Sequence, residues 1–219
     1  MSRRVTTILC ALLSLCGLVA CGPGAPPTPA QDFSSLVQEA RDALDAGKAD
    51  EAIPKLQQAL RLDPNSVEAH FLLGNAYARK EQFSQAEEQY LQALKLDEKN
   101  TDAQSNLGVA YYRQGKLQDA EQAFRTALSQ QPNDAEIHYN LGGVLIAMNR
   151  TSDALNEFLK AKELNPSLPE SYLGLGSVYK LQGKRAEAIA ALREYLELSQ
   201  DPAGQQIARQ LLQEMGEKP

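Results

Sequence analysis

Apolar residues along the centre of this chain fall into short helical runs that come in pairs. In residues 101–134, Leu107, Ala110 and Tyr111 recur on one helical face, and Gly115 interrupts the run. Leu117, Ala120, Ala123, Phe124, Ala127 and Leu128 follow with a period of about 3.6 residues, and Pro132 closes the unit. The spacing predicts two antiparallel helices joined by a short turn.

The same pattern returns along the chain. Gly74, Gly108, Gly142 and Gly176 are 34 residues apart, as are Leu73, Leu107, Leu141 and Leu175 before them. Ala52, Ala86, Ala120, Ala154 and Ala188 keep this period, and so do Ala59, Ala93, Ala127 and Ala161. Pro64, Pro132 and Pro166 fall on one phase of it. Coincident series at one period identify a repeat architecture. A glycine inside a helix costs about 1 kcal/mol relative to alanine, so four at one place require a compensating close approach of the partner helix. Small Ala120 and Ala127 beside large Tyr111 and Phe124 predict a knob-and-hole contact within each hairpin.

These residues resemble the tetratricopeptide repeat family, whose 34-residue unit carries Leu-Gly, Tyr, Ala, an aromatic, Ala and Pro in that order. Five units fit, at 33–66, 67–100, 101–134, 135–168 and 169–202. The resemblance implies an all-α fold, a right-handed α-solenoid of helical hairpins. The chain departs from the pattern locally. Glu39-Ala40 stands for Leu-Gly in the first unit, and Glu98 and Gln200 replace the proline. Tyr195 replaces an alanine, which predicts a slightly opened last hairpin. Pro54 is expected near the start of a second helix, where its missing N–H is tolerated. Residues 203–219 carry a further helix with Ile207, Ala208, Leu211, Leu212 and Met215 on one face, as a terminal cap of a solenoid requires.

The first residues read differently. Arg3 and Arg4 precede an uncharged apolar run, 5–19, too short to span a membrane stably, and residues 1–20 read as a secretion signal. The run ends in Leu18, Val19, Ala20 and Cys21, which resembles the lipobox of bacterial lipoproteins. Cys10 and Cys16 lie in the segment to be removed, so Cys21 is expected to be the one cysteine of the mature chain, with no intramolecular disulfide and no cysteine metal site. The resemblance implies lipidation of Cys21, and several acyl chains make an anchor effectively permanent. Residues 21–31, rich in Pro and Gly, are expected to form a tether reaching roughly 30 Å at about 3.1 Å per residue.

Charge narrows the partners. The chain has 28 acidic against 22 basic residues, and loss of Arg3 and Arg4 would make it more acidic still. This argues against nucleic acid and against a general attraction to anionic lipid. His70 and His138 lie two periods apart and are expected to pack between helices rather than to bind metal. There is no phosphate-binding glycine loop, no HExxH and no nucleophile elbow, so no enzyme, cofactor or metal is expected.

Family resemblance places partners across the first helix of each hairpin, on the concave face. The matching residues are Phe71, Asn75 and Arg79, then Asn106, Tyr112 and Arg113, then Tyr139 and Asn140, then Ser177 and Lys180. Aromatic anchors beside amides suit an extended peptide or a helix of a protein partner. Glu68, Asp102, Glu136 and Glu170 recur once per hairpin and read as a solvated rim. The whole resembles the lipoproteins of this family that assist assembly of type IV pilus secretins, which implies a scaffold held by its lipid on the periplasmic face of the outer membrane. Gly22 after the cysteine resembles the outer-membrane sorting pattern. An adaptor for peptidoglycan hydrolases or synthases, and a polysaccharide-export or glycan-binding component, are the alternatives.

Overall fold

The computed structural model describes residues 32–217, to which every structural statement below refers. They form eleven helices and no strand. The first helices of the hairpins are α1 (Phe33–Asp45), α3 (Val67–Arg79), α5 (Thr101–Arg113), α7 (Ala135–Ala147) and α9 (Pro169–Leu181). Each is followed by its partner, α2 (Ala49–Leu62), α4 (Phe83–Leu96), α6 (Leu117–Gln130), α8 (Thr151–Leu164) and α10 (Arg185–Leu198). The array ends in α11 (Pro202–Glu214). The signal, tether and Cys21 expectations lie outside the described residues. None of the described helices is long and apolar enough to cross a membrane.

Local chemistry sets the ends. Asp32, Ser66, Asn100, Asp134 and Asp201 each accept a bond from a backbone N–H of the first helical turn through their side chains, satisfying donors that have no partner within the helix. The turn inside each hairpin passes through left-handed backbone at Gly47, Glu81, Gly115, Asn149 and Gly183, all one period apart. Glycine adopts that conformation freely; Glu81 and Asn149 hold it against a steric cost.

In hairpins two to five the seam is a glycine beneath a large side chain. A Cβ on Gly74 would lie 2.5 Å from the Tyr90 ring, on Gly108 2.9 Å from Phe124, on Gly142 2.6 Å from Phe158, and on Gly176 2.6 Å from Leu192. The close approach inferred from the glycine series is therefore real. Its knob is a second-helix side chain, a ring in hairpins two to four and Leu192 in hairpin five, whereas Tyr111 stays half-exposed with Lys116 over its face at 5.4 Å. Phe158 is sandwiched, because Gly174 of the next hairpin also lies 2.6 Å, by its missing Cβ, from the same ring.

Two expectations are corrected. Tyr195 does not open the last hairpin: it is buried and its hydroxyl points into α11, where a Cβ on Gly204 would sit 1.8 Å away. The cap makes room for the tyrosine by carrying glycine. Pro54 is not in a first turn but inside α2, five residues beyond Ala49, where it removes one backbone hydrogen bond.

Successive first helices touch one another, α1 with α3 and so on to α9 with α11, while no two second helices do. The array therefore curves with the first helices on its inner face.

Candidate functional site

The inner face changes character along its length. Between α3 and α5, Asn75, Arg79 and Asn106 converge on a cleft of about 310 Å³ with Phe83, Tyr90 and Val109. They are engaged with one another. The Tyr90 hydroxyl donates to Asn75 Oδ1 at 2.8 Å, and Asn106 Nδ2 donates to the same oxygen at 2.9 Å. Burial pushes the Tyr90 phenol up, with Asn106 pulling weakly the other way. Arg79 donates to the Leu44 carbonyl at the end of α1. Arg113 pairs with Glu81 at 3.1 Å and lies 4.6 Å over the Phe83 ring. Phe71 leans on Tyr90, ring centres 6.2 Å apart.

Further along, Tyr139 and Asn140 line a separate cleft of about 270 Å³ with Glu136, Leu168 and Glu170. Tyr139 packs on Phe158 at 5.9 Å. Burial raises its phenol, and the Glu170 carboxylate adds to the effect. Both acids occupy first turns, where the helix dipole favours a carboxylate. Tyr112 is 41% exposed. Ser177 turns back to the Leu173 carbonyl at 2.9 Å, and Lys180 pairs with Glu214 of the cap. The candidates thus divide into an interlocked polar group on α3 and α5, an open aromatic group around Tyr112 and Tyr139, and two residues tied down near the cap.

Other residues belong to the same rows and were legible by shifting the candidates one or two periods: Gly143 matches Asn75, Leu173 and Ile207 match Tyr139, and Leu181 matches Arg113. A Cβ on Gly143 would meet nothing within 4 Å, so it faces open space. Leu181 is 64% and Ile207 50% exposed.

The histidines do more than pack. His70 bridges the Pro64 carbonyl at 3.1 Å and Gln89 at 2.8 Å; His138 bridges the Pro132 carbonyl at 3.1 Å and Glu157 at 2.6 Å. The Tyr172 hydroxyl donates to the Pro166 carbonyl in the same way at 2.9 Å. Hairpin three has Gln104 at the equivalent place, and Gln130 reaches the Glu98 carbonyl instead at 3.2 Å. The absent ring leaves a cleft of about 660 Å³ beside Gln104, lined by none of the partner-binding candidates. Among the described residues no group of three or more His, Cys, Asp or Glu is placed to hold a metal ion.

Two family models, both described as tetratricopeptide repeat, match the chain, one at residues 37–101, 73–135 and 105–169 and the other at 169–202. Among solved structures, MamA is 27% identical, covering 72% of this chain and 92% of its own, with a TM-score of 0.66. PilF of Pseudomonas aeruginosa is 23% identical over 84% of each chain, with a TM-score of 0.73. YrrB, described as a TPR protein with an unusual peptide-binding site, is 22% identical over 82% of this chain and 92% of its own, with a TM-score of 0.64. No curated protein matches the chain in sequence.

Proposed function

Because this chain belongs to the tetratricopeptide repeat family and is built as a protein-interaction scaffold, we propose that it is a lipid-anchored scaffold of the bacterial envelope that assists assembly or localisation of a partner complex such as a type IV pilus secretin. The observation that carries the interaction role is the open aromatic group on the inner face, with Tyr112 exposed and Tyr139 at the mouth of a cleft. The lipobox-like ending at Cys21 supports the anchor. The likeness in fold to PilF supports the pilus setting. Held by a short tether on the periplasmic face of the outer membrane, the array would present this face to a protein segment and perform no chemistry on it.

Two experiments test this. Wild-type chain is expected in the membrane fraction, and Cys21→Ser in the soluble fraction; equal partitioning would remove the anchor. Capture from the native envelope by wild type, compared with Tyr112→Ala/Tyr139→Ala of unchanged helicity, tests the face. Loss of a secretin subunit in the variant supports the proposal. A peptidoglycan enzyme captured in its place reassigns the pathway, and unchanged capture moves the site off the inner face.

A further inference from the structure

The inner face of hairpins four and five is apolar along its floor and acidic along one edge. The floor contains Gly143, Ile146, Leu173 and Leu181 and is continued by Ile207 of the cap; Leu181 and Ile207 are at least half exposed. Large apolar side chains left in water on one surface mark an interaction site. Gly143 is the informative member. It lies inside α7 at a propensity cost of about 1 kcal/mol, yet no atom packs where its side chain would be. Gly142 beside it is required by Phe158, whereas no described residue packs where a Gly143 side chain would lie.

Charge says what the floor faces. The cations of the inner face are all engaged internally: Arg41 with Glu68, Arg79 with the Leu44 carbonyl, Arg113 with Glu81, and Lys180 with Glu214. Glu136 and Glu170 border one cleft and have no ion pair among the described residues. Two carboxylates beside an apolar floor, neither of them in an ion pair among the described residues, are complementary to a positively charged segment.

The width of the surface selects its shape. Glu136 and Ile146 are ten residues apart along α7, about 15 Å at about 1.5 Å per residue. A helix of about 10–12 Å diameter, with long Lys or Arg side chains reaching beyond it, can touch both the floor and the acidic edge. A single extended strand reaches both only by running along α7, over about five residues at about 3.3 Å each.

We infer that the inner face of hairpins four and five receives a basic amphipathic helix of the partner, its apolar stripe over Gly143 and Leu181 and its Lys or Arg residues against Glu136 and Glu170. This rests on the reading of the inner face as the partner-binding surface, and it names the chemistry of the partner there.

The test uses the full chain and three fluorescent peptides of one length: a Lys/Leu amphipathic helix, its Glu/Leu counterpart, and a Lys/Ser helix with the same charge. The Lys/Leu peptide is expected to bind, and the other two to bind far more weakly. Glu136→Gln/Glu170→Gln should weaken binding about five- to tenfold. Salt at about 1 M, where the Debye length is about 3 Å, should weaken it similarly. Gly143→Leu, whose side chain points into open space, should block the floor without lowering the thermal midpoint. Equal binding of the Glu/Leu peptide, or of Lys/Ser, overturns the inference, as does Lys/Leu binding indifferent to Gly143→Leu. If the tyrosine double variant abolishes envelope capture while the Lys/Leu peptide fails to bind, the inner face stands and its basic partner falls. If neither responds, the inner-face reading itself falls.

Discussion

The junction of hairpins two and three and that of hairpins four and five are the same construction shifted by two periods, yet they solve it with opposite chemistry. In the first, the knob is Tyr90, and its hydroxyl is met by Asn75, with Asn106 on the same oxygen. In the second the knob is Phe158, and the places of the two asparagines are taken by Gly143 and Gly174. A buried phenol needs a hydrogen-bond acceptor, so the polar knob draws amides around it and locks that part of the inner face. A bare ring needs only close backbone, which Gly174 supplies, while Gly143 has no phenol to meet and leaves the surface open. The residues that repeat build the shape, and the ones that vary with the knob decide which part of the surface is free to bind.

Removing the sandwiched ring tests this most severely. Phe158→Ala should cost about 3–5 kcal/mol, read by denaturant unfolding, because both Gly142 and Gly174 lose their neighbour. Asn75→Ala should cost about 1–3 kcal/mol by stranding the Tyr90 hydroxyl. Tyr90→Phe in that background should recover most of it; failure to recover would mean the amides serve something other than the phenol.

The adjacent glycines should respond with opposite sign. Gly142→Ala drives a methyl into Phe158 and should give a net loss of about 1 kcal/mol. Gly143→Ala should gain up to about 1 kcal/mol, since helix propensity improves and nothing is displaced. Equal signs would show that Gly142 is not set by the ring. The smallest effect concerns the junction of hairpins three and four. Burial pushes the Glu121 carboxyl up, but bonds from Arg125 and Arg150 outweigh it and leave it below the ordinary range. A depressed folded value means stability that is present above the unfolded glutamate value of about 4.3 and is lost as pH falls through the folded one. Glu121→Gln should cost a few tenths of a kcal/mol, roughly, at pH 7 and progressively less in acid.

Much of this was legible in the residue pattern because a solenoid repeats its contacts at fixed spacing. The 34-residue glycine series foretold the close seam, and the equivalent places of Tyr139 and Leu173 were there to be counted. Less legible was whether each candidate was free. Asn75 and Asn106 look like ligand-reading amides in a list of residues, and only their shared oxygen shows them occupied with Tyr90. Arg113 and Lys180 look like free cations until Glu81 and Glu214 are brought to them from another hairpin or the cap.

By itself the sequence determined the hairpins, their number, and the small residues of the seam, because periodicity and helix punctuation are properties of neighbours along the chain. Tertiary structure decided what no local rule contains. It turned Tyr195 into Gly204 of the cap, closed the polar network of hairpins two and three, and left the floor around Gly143 open. Each of those outcomes depends on which side chains from separate hairpins arrive at the same place.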